Sequence, residues 1–401
     1  MISVLEADNL LKEYSSDFQT GLCKLEDCIG KTLKEDIYSD REQPPFDRVA
    51  MDGIAINYNS ILEGRRSFEI QETQRAGQAP VILESNNKCI EIMTGAVLPL
   101  NTDCVIRVED LIISGKIITI KEDIEIKPMM NIHRQGADHK KDEILIKSGV
   151  KISPVHIPIL ASVGKSEIMV SVVPKIAIIS TGDELVDVNS QKIEPYQIRM
   201  SNSYTIKSVL KNLSSNELEI FHLKDEKNSL FKSFSKILTD FDMIIITGGV
   251  SAGKFDYIPE VMSELGVKNI FHKISQRPGK PLWFGVNEDK KIVFALPGNP
   301  VSTMICLYRY VIPFVKRCSG LNKEDIIQGV LSEDFNNKKD LTFFAPVKSK
   351  NIDGTLNLSI VSGNGSGDYY SLVNSDGFIE LNKENKFLPK GSLVNFFSWN
   401  I

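Results

Sequence analysis

Hydrophobic and polar positions follow different rhythms in different parts of the chain. From Lys175 onward, unbroken apolar runs rich in β-branched residues end in loops of small residues and lead into helical spacing. KIAIIS precedes a helix over Met200–Leu213 with Ser201 or Asn202 suited to its N-cap, ELEIFHL one over Lys227–Thr239, Met243–Ile246 one over Tyr257–Leu265, and IVFAL one over Val301–Val315. HKIS and PLWFGV are further strands. Apolar runs of this length suit parallel strands buried on both faces, and the strand–loop–helix units predict a doubly wound α/β domain. Between Ile54 and Ile146 the runs are shorter and separated by turn residues (SFEIQETQ, KCIEIMTGA, CVIRVEDL, KIITI), which predicts a β-rich domain. Past Gly320 the turn signals KNIDGT, GNGSGD and NSDGF divide Ile327–Ser398 into strands of a small barrel or sandwich. Ser3–Tyr14 has the spacing of a surface helix with one apolar face, and Ile152–Val163 reads as a short buried helix opening with Ser-Pro.

The expected architecture is multidomain α/β, with a central doubly wound domain, β-rich N-terminal domains and a C-terminal β-barrel-like domain. The expected boundaries are 1–43 with 139–173 for an N-terminal linker and helical-β domain, and 44–138 for the β-rich domain. The α/β domain takes 174–320 and the barrel 321–401. There is no long flexible linker and no low-complexity tract.

Composition narrows the partners. With 401 residues, 42% hydrophobic and 25% charged, the chain has the make-up of a soluble protein of about two to four domains. A net charge of −5 without a long basic block argues against nucleic acid. The start, MISVLEADNLLKEY, lacks the basic and apolar regions of a signal peptide, and no run approaches the ~18 apolar residues of a membrane span, so no membrane partner is expected. The six cysteines are scattered, without a C-x-x-C pair or a histidine at metal spacing. They read as buried reduced thiols in a cytoplasmic protein.

In an open α/β sheet the ligand crevice lies outside the carboxyl ends of the parallel strands. Four loops fall there: 181–184, 224–226, 247–256 and 297–302. They supply Asp183, Glu184, Asp225 and Asp256, with the small residues of TGGVSAGKFD between. Oxygen-only carboxylates suit Mg²⁺ bridging to a phosphate, while Arg277 and Lys280 of the nearby RPGKP turn suit an oxyanion. Each carboxylate also has a structural reading: Asp183 and Asp256 as helix caps, Asp225 as a surface residue after a strand. The 248–255 stretch nearly satisfies G-x-x-x-x-G-K-[ST], but Phe255 stands where the Mg²⁺-holding hydroxyl belongs, which disfavours a P-loop. No Ser/His/Asp or Cys/His arrangement is apparent, which argues against covalent acyl chemistry. PPFDRVAMDG (44–53) crowds Asp47, Arg48 and Asp52 into a stiff loop, and NIHRQGADHKKD (131–142) carries two histidines without an evident third metal ligand.

These motifs together resemble the molybdopterin molybdenumtransferase family, which includes the E domain of gephyrin. The resemblance spans nearly the whole chain. It rests on PPFDRVAMDG (44–53), MTGAVLP (93–99) with Asp103 and Glu109, NIHRQGAD (131–138), STGDEL (180–185), QIRMSNS (197–203), TGGVSAGKFD (247–256), RPGKP (277–281) and PGNPVS (297–302), in that order. It implies insertion of molybdate into the dithiolene of adenylylated molybdopterin, with Mg²⁺ assisting and AMP released. It implies a homodimer in which Asp52 and Thr94 complete the site of the other subunit. It assigns Asp183, Glu184, Asp225 and Asp256 to Mg²⁺ or water, Arg277 and Lys280 to molybdate or phosphate, and Gly248, Gly249, Ser251 and Gly253 to the phosphate cradle. Asn202, Pro297, Gly298, Asn299, Pro300, Ser302 and Ser366 are further candidates for holding the pterin substrate, and Asp138 stands at a domain edge. Val49, Ile54, Ala137 and Gly367 depart from the family's usual residues at fine substrate contacts. The alternatives are the sibling molybdopterin adenylyltransferase, which would be a much shorter chain and a possible partner here, a non-enzymatic scaffold of the same fold, and a nucleotide hydrolase.

Overall fold

The computed structural model describes residues 1–213, 217–250, 256–321, 326–337 and 340–400. They fall into two compact units, one of Met1–Glu35, Ser148–Pro154 and Glu167–Ile401, the other of Asp36–Lys147 and Val155–Ser166.

The first unit is built on a sheet whose strands are β1 (Ile176–Thr181), β2 (Leu218–Leu223), β3 (Met243–Thr247), β4 (Lys268–His272), β5 (Trp283–Val286) and β6 (Ile292–Leu296). Their order is β2-β1-β3-β6-β5-β4. The first four run parallel, and β5 and β4 follow antiparallel. Every residue of β1, β3 and β6 is buried, as their unbroken apolar runs require. Alternate side chains feed two cores. Ile176, Ile178, Met243 and Ile245 pack against helices Asn202–Lys211 and Val4–Glu13 and the 300–318 helix. Ala177, Ile179, Ile244 and Ile246 pack against helices Lys227–Asp240 and Ile258–Glu264. From β1 the chain turns first to β2 on one side and then to β3 on the other. The strand order thus reverses between β1 and β3, and a crevice opens beyond their carboxyl ends.

Two helices differ from expectation. The apolar stretch after β6 is not one continuous α-helix but Pro300–Cys306, a π turn over Leu307–Val311, and Ile312–Cys318. Pro313 has no N–H and its ring crowds the Arg309 carbonyl, and a wider turn relieves both problems. The expected buried helix at 152–163 is Ile157–Ser162 after a 3₁₀ turn at Pro154–His156, with only Leu160 buried.

The C-terminal strands are β7 (Ile327–Leu331), β8 (Thr342–Ile352), β9 (Thr355–Ile360), β10 (Gly377–Leu381) and β11 (Leu393–Ser398). They pair in the order β8-β9-β7-β11-β10, and β10 pairs back onto β8, which closes a five-stranded barrel around Leu331, Val347, Leu358, Ile379 and Phe396. Gln276–Arg277 adds to β8 as a short parallel strand and joins the α/β sheet's edge to the barrel.

The second unit holds a six-stranded sheet in the order Cys104–Arg107, Gly53–Ile56, Lys88–Ile92, Ser67–Gln74, Ile117–Ile120 and Leu111–Ser114, as the β-rich rhythm predicts. Its core gathers Ile54, Ile56, Phe68, Ile106 and Ile118.

Arg309, on the π turn, ties three parts of the first unit together. Its two terminal nitrogens donate to both Asp8 oxygens at 2.8 Å, and Nε donates to Glu380 at 2.9 Å. Asp8 lies on the Val4–Glu13 helix and Glu380 on β10. Burial opposes the Arg309 charge, but the bonds to Asp8 and the charge of Glu380 outweigh it and hold the guanidinium well above its ordinary value. Arg309→Met leaves two carboxylates facing a buried site without their cation, and about 3–5 kcal/mol of stability is expected to be lost in denaturant unfolding of the full chain. Adding Asp8→Leu and Glu380→Leu to that variant should recover most of it. A single-variant loss below about 1 kcal/mol would place the triad among weak surface pairs.

Candidate active site

The crevice between β1 and β3 is shaped first by backbone. β3 ends at Thr247, and Gly248 follows with φ 100°, its N–H donating to the Leu296 carbonyl at 3.2 Å. A Cβ at Gly248 would stand 2.6 Å from the Thr181 carbonyl oxygen, and one at Gly249 (φ 64°) would stand 2.7 Å from the Ile258 side chain. Only glycine lets this loop cross β1 so closely. Asn202, expected as a helix cap, instead reaches out: Nδ2 donates to Thr247 Oγ1 at 2.9 Å and to the Gly298 carbonyl at 2.7 Å. Ser201 occupies the cap position without capping through its side chain. Asn202 thereby ties the 247–249 and 297–299 loops together. On the other side of the 297–302 loop, Asn299 Nδ2 donates to Ser366 Oγ at 2.8 Å and the Val301 N–H donates to the Ser366 carbonyl at 3.1 Å. This pins the loop after β9 against the α/β edge.

The result is a cleft of about 1680 Å³, larger than the ~300–1,000 Å³ typical of small-molecule pockets. Glu184, Asp225 and Asp256 line it, with Gly248, Gly249, Asn202, Pro297, Gly298, Asn299, Pro300 and Ser302. Arg277, Lys280 and Ser366 line it as well. Asp183 is exposed beside the lining, and its charge still reaches Asp225. Burial, then the negative charge of Asp183, push the Asp225 carboxyl above its ordinary range. Glu184 and Asp256 add to this push, and the Thr181 hydroxyl opposes it. That hydroxyl is buried and forms no complete hydrogen bond, so its contact with Asp225 is a weak one. Four carboxylates predicted from three separate loops thus come together, three of them acting on Asp225.

The cations sit on the turn that joins the barrel. Arg277 and Lys280 are both exposed, and among the described residues neither has an ion-pair partner. Among the lining residues not singled out in the sequence are Arg199, which donates to the Ser190 carbonyl at 2.8 Å, and Tyr369, stacked on Tyr370 with ring centroids 4.5 Å apart. Arg199 lies inside QIRMSNS, so a third cation was there to be read. Tyr369 opens a 3₁₀ turn over Tyr369–Asn374 whose position no local pattern predicts. Ser251 and Gly253, with the rest of 251–255, lie outside the described residues.

In the second unit Asp52 accepts from the Thr94 N–H at 2.6 Å and from Thr94 Oγ1 at 2.7 Å, which draws its carboxyl below the ordinary range. The two loops quoted for the family resemblance thus meet. Arg48 contacts His133 Nδ1 at 3.2 Å, and His133 Nε2 lies 3.0 Å from Asp138. Because Arg48 can only donate, His133 is the tautomer with its proton on Nε2. His139 pairs with Glu143 at 3.4 Å instead of joining His133. Among the described residues no three His, Cys, Asp or Glu side chains form a ready-made metal site.

A large cleft with carboxylates on one wall and unpaired cations on another suits a long, multiply charged substrate. Comparison with known proteins agrees. Residues 2–164 match the MoeA N-terminal region (domain I and II), 177–317 a domain described as "Probable molybdopterin binding domain", and 328–399 the MoeA C-terminal region (domain IV). The molybdopterin molybdenumtransferase of Synechocystis sp. is 35% identical over 401 residues, with all of both chains covered. That of Haemophilus influenzae is 31% identical, with 98% of this chain and 96% of the relative covered. The crystal structure of the molybdopterin biosynthesis moeA protein from Pyrococcus horikosii superposes with a TM-score of 0.84 at 27% identity, covering 100% of each chain. With full-length relatives of that name, all three regions in order and the same fold, the chain belongs to the molybdopterin molybdenumtransferase family of transferases.

Proposed function

We propose that the chain inserts molybdenum, supplied as molybdate, into adenylylated molybdopterin and releases AMP, with Mg²⁺ assisting. The observation that carries this reading is the cleft's division of charge: mutually repelling carboxylates around Asp225, and the unpaired cations Arg277 and Lys280. The donor set fits Mg²⁺, which is hard, favours oxygen, and is held by one or two carboxylates while water and substrate phosphate complete its shell. Asp225 and Asp256, helped by Glu184 and Asp183, are the residues to hold it. When bound, it neutralises charge on the phosphoanhydride.

The residues of the chain then divide the work. The Gly249 N–H and the close backbone of Gly248 receive the phosphates, while Arg277 and Lys280 draw the molybdate dianion in. Water attacks one phosphorus of the anhydride, the P–O bond to the bridging oxygen breaks, and AMP leaves with the pterin phosphate as the other product. The proton that the water loses passes to a carboxylate of this set that Mg²⁺ leaves free, Glu184 of the cleft lining. Each dithiolene sulfur that binds molybdenum displaces an oxygen ligand, which leaves as water after taking up protons, and the metal keeps its oxidation state. Ser366 and the 297–302 loop flank the pterin. The functional form is a cytoplasmic homodimer in which Asp52 and Thr94 complete the partner's site. A molybdopterin adenylyltransferase hands over the substrate.

Incubation of the purified chain with adenylylated molybdopterin, Mg²⁺ and molybdate is expected to release AMP and form cofactor, with AMP dependent on molybdate. Consumption of ATP to adenylylate molybdopterin would instead assign the sibling reaction, and neither outcome would leave a scaffold. Asp256→Ala should lower turnover by about 10²-fold or more with little change in thermal midpoint.

Asp225→Asn tests the electrostatics without turnover. A carboxyl raised above its ordinary 3.8 favours folding only while protonated, so its contribution is complete below that value and is lost as pH rises through the folded-state value. The Asn variant should therefore melt higher than the native chain at pH 7, and the gain should vanish in acid. Mg²⁺ should raise the midpoint of the native chain and raise that of the variant less. A lower midpoint at pH 7 would refute the repulsion.

Mixing Asp52→Ala and Asp256→Ala chains under subunit exchange should restore up to about a quarter of native activity, since half the dimers then carry one intact site of two. No recovery would place the whole site within one chain.

A further inference from the structure

The Arg277–Lys280 turn presents its cations from above a buried polar support. Gln276 is fully buried, as are Tyr310 and Cys306 beneath it. The Gln276 amide has three partners. Oε1 accepts from the Tyr310 hydroxyl, while Nε2 donates to the Pro278 carbonyl at 3.1 Å and to Cys306 Sγ at 3.7 Å. The Pro278 carbonyl can only accept, so the amide can face only one way. Burial keeps both Tyr310 and Cys306 protonated, which leaves Tyr310 a donor and lets Cys306 donate to the Gly279 carbonyl at 3.6 Å. Gly279 sits on this support with no room to spare, since a Cβ there would lie 2.6 Å from Cys306 Sγ and 2.7 Å from Gln276 Nε2. Gln276 thus bonds to the turn it precedes, and Tyr310 follows Arg309 on the π turn, the residue that anchors the barrel. Burying a side-chain amide is costly unless all its groups are matched, and here the matched groups hold the turn's shape.

We propose that Gln276 is a positioning residue for the incoming tetrahedral oxyanion: by bracing the Pro278–Gly279 backbone against Tyr310 and Cys306, it holds Arg277 and Lys280 aimed into the cleft. This deepens the proposed function and rests on it for the identity of the oxyanion as molybdate. Two long cationic side chains on a loose turn would have to be ordered at each binding event, and a braced turn removes part of that cost.

The test is direct binding of tungstate, an isostere of molybdate, to the full chain by calorimetry, with thermal midpoints measured alongside. Gln276→Met keeps the volume and deletes the amide. It is expected to weaken tungstate binding by about tenfold, equivalent to about 1.4 kcal/mol, with only a modest fall in midpoint from the Tyr310 hydroxyl left without its acceptor, a fall that Tyr310→Phe in the double variant should recover. Tyr310→Phe removes only the hydroxyl that orients the amide and should weaken binding less, and the double variant should bind no more weakly than Gln276→Met alone. Unchanged affinity in Gln276→Met, a loss that merely follows a large drop in midpoint, or additive losses in the double variant would each overturn the proposal. So would absence of tungstate binding by the native chain. Tungstate binding that depends on Gln276 in a chain that releases no AMP would uphold the positioning role and count against the proposed reaction alone.

Discussion

A single buried guanidinium decides how the walls of the cleft stand. One wall is the carboxyl edge of the α/β sheet, and the other includes the barrel and the loop after β9. These come from distant stretches of sequence, and hydrophobic packing alone leaves their relative placement adjustable, because apolar contacts have little directionality. Arg309 supplies direction. Its planar fork is bonded bidentately to Asp8 and singly to Glu380, so a helix from the start of the chain, the 300–318 helix and a barrel strand meet at fixed angles. Tyr308, one residue before, donates to the Trp399 carbonyl at 2.8 Å and repeats the tie at the barrel's last strand. The π turn that Pro313 imposes is what presents these consecutive side chains to the interface.

Given fixed walls, the cleft can hold charges that oppose folding. Asp225 is pushed above its ordinary range by burial and by three neighbouring carboxylates, a cost that an isolated loop would relieve by moving apart. The loops cannot separate, because Gly248 and Gly249 are wedged against Thr181 and Ile258 and Asn202 bonds two of the loops at once. Backbone geometry that only glycine permits thus keeps like charges together until a cation or a proton compensates them.

Much of this was legible in the sequence, though not evenly. The unbroken apolar runs at 176–181, 243–247 and 292–296 announced central parallel strands, and the rule that ligands bind at their carboxyl ends groups Asp183, Glu184, Asp225 and Asp256 at one sheet edge. Turn residues announced a small barrel or sandwich and the barrel is what forms, but which strands close it, β10 onto β8, is a long-range pairing without a local signal. Pro313 was visible inside an apolar run, yet that run read as one helix because its effect depends on a carbonyl four residues earlier. Asn202 read as a cap because local propensity favours one, and the structure spends its amide on two distant loops. Gln276 stood at the edge of the RPGKP turn and Tyr310 inside an apolar helical stretch, and only their burial together makes them informative.

The cysteines complete the chemical logic. In the proposed reaction the metal passes to the dithiolene of the pterin, and the thiolate form of a protein cysteine would be a competing ligand. All six thiols are buried. Burial pushes Cys89, Cys104 and Cys318 up to about 12 and Cys306 higher still, so the thiolate form that binds metal is suppressed at neutral pH. Cys306 is the telling case, because it lies directly beneath the cationic turn yet points its proton at the Gly279 carbonyl and accepts from Gln276. The same contacts that brace the turn therefore keep the Cys306 sulfur beneath it neutral. In the proposed reaction molybdate then meets the cations of the turn, and the sulfurs that take the metal are those of the pterin.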